Sequence, residues 1–465
     1  MRVKILGAAK NVTGSKFLID INNKRVMVDC GLYQERGLKD RNWEKFPVEP
    51  SSIDAIILTH AHLDHCGYLP RIVRDGFRGE IFCTDPTLEI VKITLLDSGK
   101  IQEEDAIKKK KRHIKAGIVK DYPIEPLYTA QDAEKVFPLL KGFPYNHNIK
   151  FSEDISFSFH DAGHILGAAM VELVVKENGV MKKIVFSGDM GRWDKPILND
   201  PTLFEEADIV FIESTYGDRL HETEEEAEKK LADIINDTTQ RGGNIVIPTF
   251  AIERAQELLY FLRILLKEDT IPHLLVFVDS PMAIDVTQVF KKFPEYLDKE
   301  TQTLIREGNS PFDFTMLQLT RRTEESKAIN RIKGSSIIMA GSGMCTGGRI
   351  KHHLITNITR AESTIAFVGY QAQGTLGREI LGKPEQVRIL GKYYPIRSAI
   401  ENIGGFSAHA DRNDLLRWLE GFKKPPQKIF VIHGEEEASI SFSSLLRTKF
   451  SSKIFTPSYL DEFTL

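Results

Sequence analysis

Cysteine is scarce in this sequence: four residues in 465, Cys30, Cys66, Cys83 and Cys345, with no CxxC pair. That argues against a disulfide framework or a thiolate metal site and favours a reducing, cytoplasmic setting. Long apolar runs are also lacking. None approaches the ~18 residues of a membrane span, and residues 1–7 run straight into a strand pattern without an apolar leader. No membrane partner is expected. Charge of one sign is nearly absent, with a net of −3. Any affinity for nucleic-acid phosphates must therefore come from a local groove rather than from global basicity. Repeats, linkers and low-complexity tracts are missing as well. What remains, 42% hydrophobic and 27% charged residues, is the balance of a globular enzyme. The length suits two domains of about 200 residues each.

The pattern along the chain changes once. Strands are expected at residues 3–6, 17–20, 25–28, 55–58, 155–159, 183–186 and 209–212, most ending in a polar residue or glycine, where active-site loops begin. After Tyr216 the chain alternates. Helices are expected at residues 222–240, 253–266, 281–292 and 348–355. Strands are expected at 244–248, 274–278, 336–340 and 364–368. Alternation of this kind argues for a parallel sheet covered by helices. A final strand at 428–432 leads into His433. The expected division is one domain in two parts, residues 1–214 and 405–465, with a second domain inserted at 215–404.

The strongest chemical signal is Thr59-His60-Ala61-His62-Leu63-Asp64-His65, directly after an apolar strand. Four ligand-type side chains fall within six residues, and alternate residues of a tight loop can point into one pocket. Imidazole and carboxylate suit zinc, and the lack of thiolates argues against an iron–sulfur cluster. Four ligands at this spacing cannot all wrap one ion, so others must come from elsewhere. His164, in Asp161-Ala162-Gly163-His164-Ile165-Leu166-Gly167, reads either as a ligand or as a core histidine. Asp189, in Ser187-Gly188-Asp189, reads either as a turn former or as the carboxylate that two ions ~3.5–4 Å apart would share.

Together these segments resemble the metallo-β-lactamase superfamily. His60, His62, Asp64, His65, His164 and Asp189 match its metal motifs in order, and Asp29, in Val28-Asp29-Cys30-Gly31, matches the buried carboxylate that supports the metal loop. Further segments resemble the β-CASP branch of nucleic-acid-processing nucleases. These are Phe211-Ile212-Glu213-Ser214-Thr215-Tyr216-Gly217, the long insertion, Phe406-Ser407-Ala408-His409-Ala410-Asp411, and Val431-Ile432-His433-Gly434-Glu435. The resemblance implies an α/β fold, a metallo-β-lactamase αββα sandwich with an inserted β-CASP α/β domain. It implies two zinc ions as cofactors. His60, His62 and His164 would hold one, Asp64, His65 and His433 the other, and Asp189 would bridge them.

The same resemblance implies the activity: a zinc-dependent ribonuclease that hydrolyses phosphodiester bonds of single-stranded RNA, by endonucleolytic or 5′→3′ exonucleolytic cleavage. A homodimer is compatible with it. The catalytic set is then His409, Glu213, Asp189 and Asp64, with Glu213 orienting His409 as the general acid for the leaving oxygen. Histidine at 433 looks like the RNA branch, since the DNA-repair branch typically has valine there. The rival readings are a DNA nuclease of the same fold and a non-nuclease metallo-hydrolase.

Weaker signals concern the substrate. The glycine-rich stretch 341–349 lacks both GxGxxG and a Walker lysine, but its backbone amides can cradle a phosphate. Residues 331–360 contain Arg331, Lys333, Arg349, Lys351 and Arg360 without an acidic residue. Ser342, Gly343, Met344, Arg349 and Lys351 are therefore the expected substrate contacts, with Arg254 at the start of an amphipathic helix. The more basic run Lys108-Lys109-Lys110-Lys111-Arg112 reads as a solvated helix face.

Overall fold

In the computed structural model the chain is described over residues 1–35, 37–115, 124–369, 371 and 374–465, with the backbone alone at 112 and 115. All counts here refer to these described residues. The chain forms two units. The first is Met1–Trp193, Asp200–Leu220 and His409–Leu465; the second is Asp194–Asn199 and His221–Ala408.

The first unit is built on two seven-stranded sheets. One runs, edge to edge, Glu462–Thr464, Arg2–Ile5, Phe17–Ile21, Lys24–Val28, Ala55–Ile57, Glu80–Thr84, Leu140–Phe143. The other runs Lys453–Phe455, Lys428–Ile432, Ile209–Glu213, Val180–Phe186, Ala169–Glu177, Ile155–Asp161, Ile149–Lys150. Period-two patterning decides which face is buried. In Ile155–Asp161 the side chains of Ile155, Phe157 and Phe159 are buried, while Ser156 and Ser158 between them are not. The two inner faces meet in a phenylalanine-rich core in which the rings of Phe186 and Phe211 stack at 4.3 Å and those of Phe211 and Phe430 at 4.5 Å. Each such ring contributes roughly 2–3 kcal/mol by leaving water. Helix Asp85–Lys115 packs on one sheet and helix Glu436–Lys449 on the other, which makes the unit an αββα sandwich.

Strand direction then places the site. Lys24–Val28, Ala55–Ile57 and Glu80–Thr84 run parallel, as do Val180–Phe186, Ile209–Glu213 and Lys428–Ile432. Their C-terminal ends present Glu213 at a strand terminus and Asp29, Thr59, Ser187 and His433 on the loops that follow, where open α/β sheets place their chemistry.

The second unit has a six-stranded sheet in the order Leu317–Leu319, Leu275–Val278, Ser336–Ala340, Ile245–Pro248, Thr364–Val368, Ala399–Ile403, with every pairing parallel. Ser336–Ala340 and Thr364–Val368 are buried at every residue, as strands covered on both faces must be. Helices Glu224–Gln240, Arg254–Lys267, Pro281–Lys292 and Ile350–Asn357 alternate with these strands.

Three helix starts differ from the sequence expectation for local reasons. The one expected from 253 begins at Arg254, because Glu253 takes a left-handed φ of +64°. The helix expected from residue 348 begins at Ile350, because Gly348 takes a left-handed φ of +78°. The one expected from 222 begins at Glu224, where Thr223 and Glu226 form a reciprocal cap. Strand Ala169–Glu177 and most of the 31-residue helix Asp85–Lys115 were not anticipated. Lys108 to Lys111 on that helix are exposed, and Lys108 pairs with Glu104 at 3.0 Å. The Arg112 side chain lies outside the described residues.

Candidate metal centre

The loop after Ala55–Ile57 carries His60 and His62, and His62 opens the short helix Leu63–Cys66 that presents Asp64 and His65. The loop is held tightly. A Cβ on Gly31 would sit 1.5 Å from the Asp64 carbonyl oxygen, so only glycine fits there. Asp29, itself at φ +59° and 1% exposed, organises the loop from beneath. Its carboxylate accepts hydrogen bonds from Thr59 N at 2.8 Å, Thr59 Oγ1 at 2.9 Å and Ser15 Oγ at 3.1 Å, and meets His65 Nδ1 at 2.7 Å.

Histidines distant in sequence complete the cluster. His62 Nδ1 lies 3.1 Å from His60 Nε2 and 3.3 Å from His164 Nε2. Asp189 stands beside both halves of the cluster. Its Oδ2 is 3.4 Å from His60 Nε2 and 3.6 Å from His164 Nε2, while its Oδ1 is 3.2 Å from His65 Nε2. His433 Nε2 lies 3.0 Å from His65 Nε2 and 3.6 Å from Asp64 Oδ2. The side chains thus form three overlapping groups able to hold a cation, His60–His62–His164–Asp189, Asp64–His65–His433 and Asp189–Glu213–His433, each with its ligand atoms within 4.8 Å of one another.

The electrostatics fit cations. Burial lowers the pKa of His60, with His65 adding to the effect. Burial and the neighbouring His60 hold His62 near 3, and burial and His409 hold His164 well below its usual value. Three neutral imidazoles whose ring nitrogens lie this close cannot all donate to one another, and a cation among them could be met by a lone pair from each. Burial opposes the charge on Asp189, but His433, His65 and His60 outweigh it and keep the carboxyl well below the usual range. Its Oδ1 is buried and accepts no hydrogen bond. Burial likewise opposes the charge on His65, and Asp189 and Asp29 overturn it, leaving a strongly basic imidazole. That is the effect a carboxylate behind a metal-ligating histidine has. Converging ring nitrogens and a buried carboxylate oxygen without a hydrogen bond are what a bound cation would satisfy.

His409 lies at the rim of this cluster, on the loop before helix Arg412–Glu420. Its ring is 4.5 Å from that of His164, and Tyr216 approaches it edge-on at 6.1 Å. Its Nδ1 faces the carboxylate of Glu213, which is fully buried and is fixed by Met190 N at 2.6 Å.

All nine residues expected in the centre or beside it, together with Asp29, therefore converge in the first unit. Sequence reasoning did not single out Ser15, Thr59 or Thr215, which are hydroxyls whose roles depend on what folds against them. The six expected substrate contacts belong to the second unit, where their groups are largely committed. Arg254 is buried and ion-paired with Glu257, which also holds Lys195. Ser342 Oγ accepts from Gly347 N at 3.2 Å, Gly343 O accepts from Gln371 Nε2 at 3.0 Å, and Met344 O accepts from Gly377 N at 3.1 Å. Lys351 Nζ donates to Thr346 O at 2.6 Å. Arg349 donates to Asp279 Oδ1 at 2.6 Å, Arg321 O at 2.6 Å and Thr320 O at 3.1 Å. It ties together two strand ends, those of Leu275–Val278 and Leu317–Leu319.

A cluster of imidazoles and carboxylates without a thiolate marks a metal-dependent hydrolase rather than a structural zinc module. Residues 18–210 match the metallo-beta-lactamase superfamily domain, residues 255–380 the Beta-Casp domain, and residues 393–457 the Zn-dependent metallo-hydrolase RNA specificity domain. The chain belongs to the metallo-β-lactamase superfamily, in its β-CASP branch. It is 38% identical over 446 residues to Ribonuclease TTHA0252 of Thermus thermophilus, covering 96% of both chains. It is 32% identical over 474 residues to Transcription termination factor FttA of Methanocaldococcus jannaschii, covering 99% of this chain and 71% of that one. Among solved structures, a protein of unknown function from Enterococcus faecalis shares the fold, with a TM-score of 0.55 at 12% identity over 100% of this chain and 99% of that one.

Proposed function

We infer that the protein is a ribonuclease that hydrolyses phosphodiester bonds of single-stranded RNA at a centre of two zinc ions. The observation that carries this reading is the filled ligand set with a carboxylate-supported histidine at its rim. The match to an RNA specificity domain, and the ribonuclease similar to this chain over nearly its whole length, support RNA as the substrate. His60, His62 and His164 would hold one ion and Asp64, His65 and His433 the other, with the Asp189 carboxylate close to both sets. When bound, the metal supplies Lewis acidity toward the phosphate oxygens and toward water.

The chain's own residues do the rest. Asp29 fixes the orientation of His65 through Nδ1. Glu213 accepts the Nδ1–H of His409 and so leaves the mobile proton on Nε2, where it can pass to the departing 3′-oxygen. No carboxylate has to leave its hydrogen bonds for that transfer. Four buried free cysteines accord with a reducing cytoplasm as the place of action, and a homodimer is compatible with the reading. The test is to incubate the purified protein with RNA labelled at either end and map the products. Metal-dependent, EDTA-sensitive cleavage of RNA is expected, and its product ladder distinguishes internal from 5′-terminal cutting. Cleavage of DNA in preference to RNA, or of neither, would overturn the reading.

A further inference from the structure

One hydroxyl beside the metal centre has a geometry that decides how a ligand is presented. Thr215 lies two residues beyond strand Ile209–Glu213, whose parallel register sets Glu213 opposite Ile432. Its Oγ1 is 3.2 Å from the His433 carbonyl oxygen and also 3.2 Å from His433 Nδ1. The neighbouring Ser214 adds two bonds to the same segment, N to His433 O at 3.1 Å and Oγ to Ile432 O at 2.9 Å. The clamp is needed because His433 has a φ of +48°, a left-handed conformation that a non-glycine residue keeps only when its surroundings hold it there.

The protons can be counted. A threonine hydroxyl has one proton and two lone pairs. A carbonyl oxygen only accepts, so the Thr215 proton goes to His433 O. Oγ1 can then meet Nδ1 only as an acceptor, and Nδ1 must carry the imidazole proton. Asp189 Oδ1, 3.4 Å from the same nitrogen, makes no hydrogen bond to it, but its negative charge favours a proton there. An imidazole protonated at Nδ1 keeps its lone pair on Nε2, the atom that faces Asp64 and His65. In water the opposite tautomer, with the proton on Nε2, is the commoner one, and it would turn an N–H toward the cation.

We propose that Thr215 is a positioning residue that holds His433 in its Nδ1–H tautomer, so that Nε2 is the atom offered to the metal position shared with Asp64 and His65. The proposal rests on the metal reading given above. A second consequence follows from the double contact: the hydroxyl fixes backbone and ring together, so the ring cannot rotate without breaking the clamp on the carbonyl.

The test compares Thr215→Val, which keeps the shape and removes the hydroxyl, with Thr215→Ser, which keeps the hydroxyl. Zinc-loaded protein labelled with imidazole-15N histidine is measured by NMR, and the His433 signals are assigned by their loss in His433→Asn. Wild type and Thr215→Ser should show His433 protonated at Nδ1 and metal-shifted at Nε2. Thr215→Val should lose that signature and bind its second zinc ion about 10–100-fold more weakly, the usual effect of removing a partner behind a ligand. The zinc held by His60, His62 and His164 and the melting temperature should stay unchanged. If Thr215→Val fails to fold, Thr215→Ala against Thr215→Ser serves instead. An unchanged His433 signature and affinity in the valine variant would overturn the proposal, as would a serine variant as weak as the valine one. If wild-type protein takes up no metal, the metal reading falls, and the protonation of His433 Nδ1 alone still decides the role of Thr215.

Discussion

His409 Nδ1 lies 3.2 Å from both carboxylate oxygens of Glu213, residues 196 positions apart in the chain. Burial alone would lower the pKa of this imidazole. The charge and hydrogen bond of Glu213, with smaller help from Asp189 and Asp64, reverse that and raise it to about 9. A raised group is protonated below its folded pKa and deprotonated above it. A general acid works only in the protonated form, so kcat should fall as pH rises through about 9. Cations beside Asp189 and Asp64 would neutralise those two contributions and draw the limb lower. Glu213→Gln removes the largest favourable one and should draw it lower still. A pH–kcat profile of both proteins checks this. Alkaline limbs that coincide would remove Glu213 from its assigned role.

Asp29 accepts three hydrogen bonds from Thr59 and Ser15 and faces His65 Nδ1. Asparagine has one acceptor oxygen where the carboxylate has two, and it turns an NH2 toward groups that are themselves donors. Asp29→Asn should therefore lower metal affinity about 10–100-fold without touching a ligand. Chelator competition on the purified protein measures it, and wild-type affinity would show that His65 is oriented by something else.

Parts of this site were readable in the sequence because the signal was local. Four ligand-type residues within six, after an apolar strand, need little else to be recognised. His164, Asp189 and His433 each stand alone in their stretch of sequence, so only the order of motifs singled them out. Thr215 could not be found that way, since a threonine two residues past a strand says nothing until strand Lys428–Ile432 lies beside it. Arg349 shows what a local reading leaves out. A cation in an acid-free stretch looks unpaired, but its carboxylate, Asp279, is 70 positions earlier in the chain. The fold follows the same division. Patterned strands such as Ser336–Ala340 were legible from their apolar runs, whereas the full length of helix Asp85–Lys115 was not, because its second half is polar and exposed.

Arg349 therefore yields a prediction about stability rather than binding. Asp279 is fully buried and shares its carboxylate with Arg349, His353 and Ser326. Arg349→Met leaves that carboxylate short of a partner. Breaking a buried pair costs ~3–5 kcal/mol, and the 23% exposure of Arg349 discounts this to roughly 2–3 kcal/mol. Denaturant unfolding should show that loss, while the salt dependence of RNA affinity stays as in wild type. A flattened salt slope with unchanged stability would restore Arg349 as a phosphate contact.

Lys16 is 3% exposed, donates to Gly14 O at 3.2 Å and lies over the ring of Tyr33 at 4.5 Å. Burial lowers its pKa to about 8. The unfolded chain then holds a proton that the folded one sheds, and stability rises between pH ~8 and ~10.5. Lys16→Met should flatten that rise and stabilise the protein at pH 7 by roughly 2–3 kcal/mol. Unfolding free energies at pH 7 and pH 10 check it, and a methionine variant less stable at both would show that the cation–aromatic contact outweighs burial.

His409 and His433 occupy neighbouring loops, their rings 6.2 Å apart, yet their surroundings give them different work. His433 faces Asp64 and His65, inside the second ligand group. His409 faces Glu213 and lies outside all three groups of candidate ligands. His433→Ala should therefore lose one of two zinc ions and lose activity with it. His409→Ala should keep both ions and nearly all RNA affinity, while turnover falls by about 10²–10⁴-fold, the usual contribution of a general acid. The two losses can be told apart chemically. An aryl phosphodiester has an acidic leaving group that needs no proton, so the His409→Ala deficit should shrink on it. The His433→Ala deficit should not, because charge on the phosphate oxygens must still be neutralised whatever group departs. Glu213→Gln should follow His409→Ala on both substrates. Zinc content by elemental analysis, set beside turnover on RNA and on the aryl ester, decides the matter. If His409→Ala loses zinc, or loses equally on both substrates, its histidine belongs to the metal shell or the fold, and the proton must come from elsewhere.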